Sequence, residues 1–181
     1  GGGGSILLAR HKSKLEVFND IHSGVVAFFR VMRNPELLDK FCDWLDNTVY
    51  AREEFVWCKE NWDHRANNDF ERATRWYYMV CTSFGSMGRA FGRSIKRPFT
   101  NKMRSSIDHF NKVHLRFKDV IIEHMDWEKV LLDYDGPDAV FYLDPPYVDT
   151  YSGAYSKDQV MSVERHRHML DIIQDLQGFV A

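Results

Sequence analysis

Ala139-Val140-Phe141-Tyr142-Leu143-Asp144-Pro145-Pro146-Tyr147 joins five apolar residues to an acid, two prolines and a tyrosine. An unbroken apolar run of this length, closed by turn residues, predicts a buried strand of the kind found in parallel sheets. The prolines fix φ at two successive residues and remove two backbone donors, so the strand gives way at Asp144 to a rigid loop rich in carbonyl acceptors. Open α/β sheets bind ligands beyond the carboxyl ends of their strands, where Asp144 is expected to stand. A carboxylate beside a prolyl carbonyl makes a pair of acceptors suited to an exocyclic amine with two hydrogens, and Tyr147 offers a face on which a planar base can stack. As a bare string the tetrapeptide is also a turn sequence; its place after an apolar strand argues for a site.

Outward from this strand, helices and strands alternate. Val25, Val26, Phe28, Phe29 and Met32 recur at helical spacing, Asn34-Pro35 closes that helix, and Leu37–Leu45 predicts a second. Residues 50–82 read as helical, with Trp57, Trp62, Trp76, Tyr77 and Tyr78 marking core or interface positions. Gly85, Gly88, Gly92 and Pro98 break the periodicity, so Phe84–Ser105 reads as a loop or hairpin. Ile107–Phe117 resumes a helix, Ser5–Arg10 opens a short one, and Leu15–Asn19 and Asp119–Glu123 are short strands. Trp127–Leu132 reads as a helical turn, a helix runs from about Asp158 to Leu176, and Gly178–Ala181 starts a further strand. Strands alternating with helices imply a parallel α/β sheet.

The chain has 181 residues, 44% apolar and 14% aromatic, enough for one domain with a sub-domain and ample for a core. No apolar run approaches the roughly 20 residues of a membrane span, and no signal peptide opens the chain. Cys42, Cys58 and Cys81 are widely spaced, which fits reduced thiols in a cytoplasmic protein. Net charge is -2, but its distribution is uneven. Between Arg72 and Ile107 stand eight Lys or Arg and no acid, whereas Asp119–Asp149 holds nine acids against Lys129 alone. A basic block can neutralise several phosphates whatever the whole-chain total; it also fits a solvated basic face.

Asp144-Pro145-Pro146-Tyr147 resembles the catalytic motif of methyltransferases that methylate exocyclic amines of adenine or cytosine with S-adenosylmethionine. The remaining motifs resemble one branch, the Dam-like DNA adenine methyltransferases of bacteria and phages. Gly1–Ser5 followed by Ile6-Leu7-Leu8 is similar to the end of their cofactor loop. Glu16-Val17-Phe18-Asn19-Asp20-Ile21 matches the next strand, whose acidic end binds the cofactor ribose. Ser83–Pro98 is like their DNA-contacting hairpin, and Glu123-His124-Met125-Asp126-Trp127 resembles the segment that brackets the cofactor's adenine. Together these motifs extend over nearly the whole chain.

The resemblance implies a Rossmann-like methyltransferase sheet with an inserted, mainly helical DNA-recognition sub-domain. The expected division is residues 1–49 and 118–181 as core and residues 50–117 as insertion. Asp144, Pro145, Pro146 and Tyr147 would be catalytic. Gly2, Gly4, Ser5, Asp20, Asp126 and Trp127 would bind S-adenosylmethionine, and Arg89, Arg93, Lys96 and Arg97 would bind double-stranded DNA. The setting implied is the cytoplasm, with association to the nucleoid through DNA, and it leaves room for a restriction endonuclease acting on the same site.

Bland readings stand beside these. Gly1–Ser5 is also the unit of engineered linkers, though the apolar residues after it favour a native loop. Asp20 and Asp126 also suit helix caps, and Trp127 a core position. His166 and His168 are spaced like metal ligands but lack a third, so no metal is expected and they read as part of a solvated helix. Tyr151 and Tyr155 are candidates for a base pocket. Cytosine amines, RNA adenine and glutamine side chains are alternative acceptors, and a non-catalytic DNA-binding remnant is the alternative outside enzymes. A first residue other than Met and a strand begun only at Gly178 predict a piece of a longer methyltransferase, weakly active alone.

Overall fold

The computed structural model describes residues 2–92, 106–146 and 161–181. They form two compact units: a larger one of Gly2–Phe18 and His22–Glu123, and a smaller one of Asn19–Ile21 and His124–Ala181.

The larger unit holds helices α1 (Ser5–Ala9), α2 (Ser23–Arg33), α3 (Pro35–Asn47), α4 (Arg52–Asn61), α5 (Asp69–Thr82) and α6 (Ile107–Phe117), with β1 (Val17–Asn19) paired to β2 (Ile121–Glu123). The helical spacing read from Val25, Val26, Phe29 and Met32 is a buried face of α2. Asn34 both ends α2 and caps α3, its side chain accepting from the Leu37 amide at 3.2 Å. Pro35 follows at the first turn, where a missing N–H costs nothing. Phe28, Phe41, Tyr77 and Phe110 meet with ring centroids 5.4–5.9 Å apart. They come from α2, α3, α5 and α6, so α5 and α6 share one core with α2 and α3.

Close approach sets the tightest contact. A Cβ at Gly24 would lie 2.5 Å from Trp76 Cγ, so α2 meets α5 where only glycine fits. A second cluster gathers Phe18, Phe29, Phe117 and Val120 beneath β1 and β2. Its edge is held by Arg116, which donates twice to the Glu16 carboxylate, Nη2 to Oε1 at 2.7 Å.

Two expectations change here. Residues 50–82 are two helices rather than one, because Asn67-Asn68 interrupts them and Asn68 caps α5 by accepting from the Glu71 amide at 2.9 Å. The first strand shortens to Val17–Asn19, with Phe18 buried and Leu15 exposed.

The smaller unit contains α7 (Trp127–Tyr134), β3 (Val140–Phe141), α8 (Val163–Asp175) and β4 (Phe179–Val180). β3 and β4 are parallel, with Val140 opposite Phe179 and Phe141 opposite Val180. Hydrogen bonds from Phe179 N to Ala139 O and from Leu143 N to Ala181 O extend the ladder over the predicted strand.

Its burial differs from expectation: Val140 is 59% exposed and Tyr142 56%. These two share a face, and an apolar strand is buried on both faces only when a layer covers each. Among the described residues β4 is the only strand beside it.

The chain is thus mixed α/β, mostly helical, with two small sheets among the described residues. No described helix is long and apolar enough to cross a membrane.

Candidate functional site

Within the smaller unit, four short segments converge. Asn19 exchanges two hydrogen bonds with the backbone of Met125, its amide donating to Met125 O at 3.0 Å and its carbonyl accepting from Met125 N at 3.1 Å. A ring nitrogen of His124 lies 3.1 Å from Ile21 O. Asp20, inside the first of these strips, is therefore carried alongside Asp126, although the two are far apart in sequence. Asp126 caps α7, Oδ1 accepting from the Glu128 amide at 3.1 Å, while Oδ2 pairs with the Arg165 guanidinium of α8.

Trp127 begins α7. Its indole N–H is buried and has no hydrogen-bond partner among the described residues, and the Arg165 guanidinium stands 5.7 Å from its ring centroid. His168 meets the same ring edge-on at 6.0 Å and places Nε2 3.1 Å from Glu128 Oε2. A cleft of about 360 Å³ opens beside Asp126, Glu128, Lys129 and Arg165, within the range of about 300–1,000 Å³ usual for small-molecule sites. Its acids and its two cations, Lys129 and Arg165, suit a polar ligand.

Asp144, Pro145 and Pro146 leave the carboxyl end of β3, with Asp144 exposed. Pro146 O lies 3.0 Å from His166 Nε2. Among the described residues neither the Asp144 carboxylate nor the Pro145 carbonyl is engaged in a hydrogen bond. Tyr147, Tyr151 and Tyr155 lie outside the described residues.

The glycine segment belongs to the larger unit. Gly2 and Gly3 are open, with room for a Cβ, whereas Gly4 is buried at φ 66° and a Cβ there would meet Phe29 Cζ at 2.9 Å. Ser5 is the first, exposed residue of α1. A side chain would thus be accommodated at Gly2 and Gly3, while Gly4 is dictated by packing.

The basic block begins on α5, where Arg72 pairs with Asp63 and Asp69 and Arg75 with Glu71; the described part of the predicted loop or hairpin follows. Ser83 bridges Phe91 antiparallel, the Phe84 amide donates to Ala90 O at 2.8 Å, and the Gly92 amide donates to Thr82 O at 2.7 Å. Phe84 (76% exposed), Met87 and Arg89 stand in solvent at its turn. The hairpin is fastened from outside: Tyr50 donates its hydroxyl hydrogen to Gly92 O and packs 4.8 Å from Phe91, while Lys59 Nζ donates to Arg89 O at 2.7 Å. Arg93, Lys96 and Arg97 lie outside the described residues.

Another cleft, of about 680 Å³, holds none of the predicted site residues; Asp43, Trp44, Glu53, Glu54 and Trp57 line it, on α3 and α4. All three cysteines are free thiols; burial pushes Cys58 up to about 12 and raises Cys42. Among the described residues no group of His, Cys, Asp or Glu could hold a metal ion.

The family model for D12 class N6 adenine-specific DNA methyltransferases matches residues 1–177. The chain belongs to this family. No curated protein matches it in a sequence comparison. In this D12 class methyltransferase Asn19 pairs with Met125, and Asp144 is exposed where the chain leaves β3. Arg165 and His166 were not singled out as site residues by the sequence; their reach to Asp126 and Pro146 depends on how α8 docks, which no local pattern encodes.

Proposed function

We propose that this chain carries out site-specific methylation of adenine in duplex DNA, with S-adenosylmethionine as donor and the target base flipped out of the helix. The observation that carries the reading is the acceptor pair of Asp144 and Pro145 at the carboxyl end of β3, with the Asp144 carboxylate exposed and neither acceptor engaged among the described residues. Family membership supports adenine N6 as the target.

S-adenosylmethionine, when bound, supplies an electrophilic methyl group on a sulfonium. Gly2, Gly4 and Ser5 are assigned to its methionine end, Asp20 to its ribose, and Asp126 with Trp127 to its adenine. The cleft beside Asp126 supports the last of these roles.

The adenine amine is a poor nucleophile because its lone pair is delocalised into the ring. The Asp144 carboxylate and Pro145 carbonyl would each accept one amine hydrogen, drawing the nitrogen toward tetrahedral geometry and freeing its lone pair for in-line attack; as the N–CH3 bond formed the S–CH3 bond would break, leaving a neutral thioether, and the surplus amine proton would pass by way of Asp144 to solvent. The charge-assisted bond to Asp144 contributes about 1.5–3 kcal/mol, and the neutral one to Pro145 about 0.5–1.5 kcal/mol. Alignment of two bound reactants contributes roughly 7–11 kcal/mol, so positioning is the larger effect. Direct transfer agrees with the thiols: Cys58 is buried and held protonated.

Base flipping costs a few kcal/mol, and stacking on Tyr147, about 1–3 kcal/mol, offsets it. The hairpin turn serves the same end. Arg89, with Arg93, Lys96 and Arg97, neutralises phosphates, and exposed Phe84 and Met87 are apolar side chains of the type that wedge between base steps. The architecture proposed with this is a Rossmann-like sheet built from residues 1–49 and 118–181, with residues 50–117 as the DNA-recognition insertion.

The test is Asp144→Ala in the full-length protein, with tritiated-methyl transfer to DNA and nucleoside mass spectrometry of the product. Transfer is expected to vanish while cofactor binding stays measurable, and the wild-type product to be N6-methyladenine. Undiminished turnover, or methylcytosine as product, overturns the reading. So does salt-dependent DNA binding without any cofactor binding, the behaviour of a non-catalytic remnant.

A further inference from the structure

We propose that His166 is a positioning residue for methyl transfer, holding the Asp144-Pro145-Pro146 loop in place from helix α8. The inference rests on the roles given above to Asp144 and Pro145. It starts from a deficit of the loop itself: with two prolines in succession, it has no N–H at either position to tie it to a neighbour. Its carbonyls can only accept, so a donor must come from elsewhere. His166 Nε2, 3.0 Å from Pro146 O, is that donor.

The imidazole is itself held. Its Nδ1 lies 2.9 Å from the carbonyl of Ser162, and the Ser162 side chain caps α8 by accepting from the Arg165 amide at 3.2 Å. The ring is half-buried, unlike its exposed helix neighbours Arg165, Arg167 and His168. With its one ring proton on Nε2, the imidazole donates to a carbonyl of the catalytic motif, while Nδ1 only lies against the Ser162 carbonyl; a half-buried ring so placed is a clamp rather than a solvated surface group.

The choice of carbonyl matters. His166 takes the Pro146 oxygen and leaves the Pro145 oxygen to accept from the target amine. Pro146 has its φ fixed by its ring, so anchoring its carbonyl fixes the remaining backbone freedom of that residue. The same helix carries Arg165 to Asp126. The first turns of α8 therefore tie the amine-binding loop to the segment assigned to the cofactor, setting the relative position of the two reactants.

Steady-state kinetics of His166→Ala and His166→Gln in the full-length protein test this. Because misplacement of a reacting group by about 1 Å costs about 100-fold, His166→Ala is expected to lower kcat by roughly 10- to 100-fold. KM for DNA and for S-adenosylmethionine should stay within about twofold, the pattern of an interaction needed only at the transition state. His166→Gln, whose amide can donate from near the Nε2 position, is expected to recover most of the loss.

Wild-type kcat in His166→Ala overturns the proposal, as does His166→Gln as slow as His166→Ala, or a loss confined to KM. A ¹⁵N-edited spectrum of the wild-type imidazole supplies a readout independent of turnover and of any variant's folding. A proton on Nε2 is expected, and a bare Nε2 overturns the proposal. Asp144→Ala in the same assay separates the two levels: full turnover there removes the parent reading, whereas an inactive Asp144→Ala beside an unimpaired His166→Ala removes only the role of His166.

Discussion

Arg165 pairs with Asp126 between α8 and α7, and because Asp126 also accepts from the Glu128 amide, both of its carboxylate oxygens are in use. The capping bond belongs to the fold; the ion pair, nearly half exposed on both sides, contributes no more than about 1 kcal/mol. A ligand amine can therefore compete with Arg165 for Oδ2 at little cost to the helix.

Asp126→Asn separates the two roles. Asparagine caps as well as aspartate, so thermal stability should be nearly unchanged. S-adenosylmethionine affinity, by titration calorimetry, is expected to fall about five- to tenfold, roughly 1–1.5 kcal/mol for one charge-assisted bond. Unchanged affinity would make Asp126 a cap and ion-pair partner only.

The Glu16–Arg116 pair gives stability a pH dependence of definite sign. The hydrogen bonds from Arg116 hold the Glu16 carboxyl below its ordinary value, and Glu16 raises Arg116 in turn. A carboxyl lowered in the folded state stabilises the protein fully above its unfolded value, about 4.3, and loses that contribution as pH falls through the folded value. Urea unfolding of the wild type should weaken progressively below about pH 4.3. Arg116→Met, which strands a buried carboxylate, should cost about 3–5 kcal/mol near pH 7 and flatten this acid limb.

Gly24→Ala should be costly although alanine favours helices. Its Cβ would stand 2.5 Å from Trp76 Cγ and 3.0 Å from Trp62, rigid rings in a packed core. Overpacking of this kind costs about 1–3 kcal/mol, well beyond the propensity gain of about 1 kcal/mol. A rise in the chemical-denaturation midpoint would contradict the packing described.

The hairpin predicts two different signatures in DNA binding. If Arg89 contacts a phosphate as proposed, Arg89→Ala should lower affinity for every sequence and shrink the slope of log K against log salt by about 1. Phe84→Ala should weaken binding by about 1–3 kcal/mol, as loss of a stacked aromatic does, with the salt slope intact. Fluorescence anisotropy over a salt series distinguishes them, and equal slope changes in both would contradict the division of labour.

What was legible in the sequence was local. Helical spacing gave α2, Asn34-Pro35 marked a boundary, the glycines marked the hairpin, and the apolar run before Asp144 marked a strand. Burial was not legible, since Ala139–Leu143 is apolar throughout yet exposes Val140 and Tyr142; composition reports what a strand can bury, not what covers it. Contacts between distant residues were equally hidden. Glu16 reaches Arg116, Asn19 reaches Met125 and His166 reaches Pro146 only after the chain has folded. At the site, the motif residues could be named from sequence, but the residues that hold them could not.

Tyr50 grips the hairpin at Gly92 in its base and Lys59 grips it at Arg89 in its turn, while Phe84 and Met87 stand exposed. Such an arm is a short lever on a stiff mount. When it is pressed against a duplex, the softer body is the nucleic acid, whose flexible pyrimidine–purine steps give way for a few kcal/mol. The ease with which a sequence deforms would then enter recognition alongside its base edges, at positions no side chain touches.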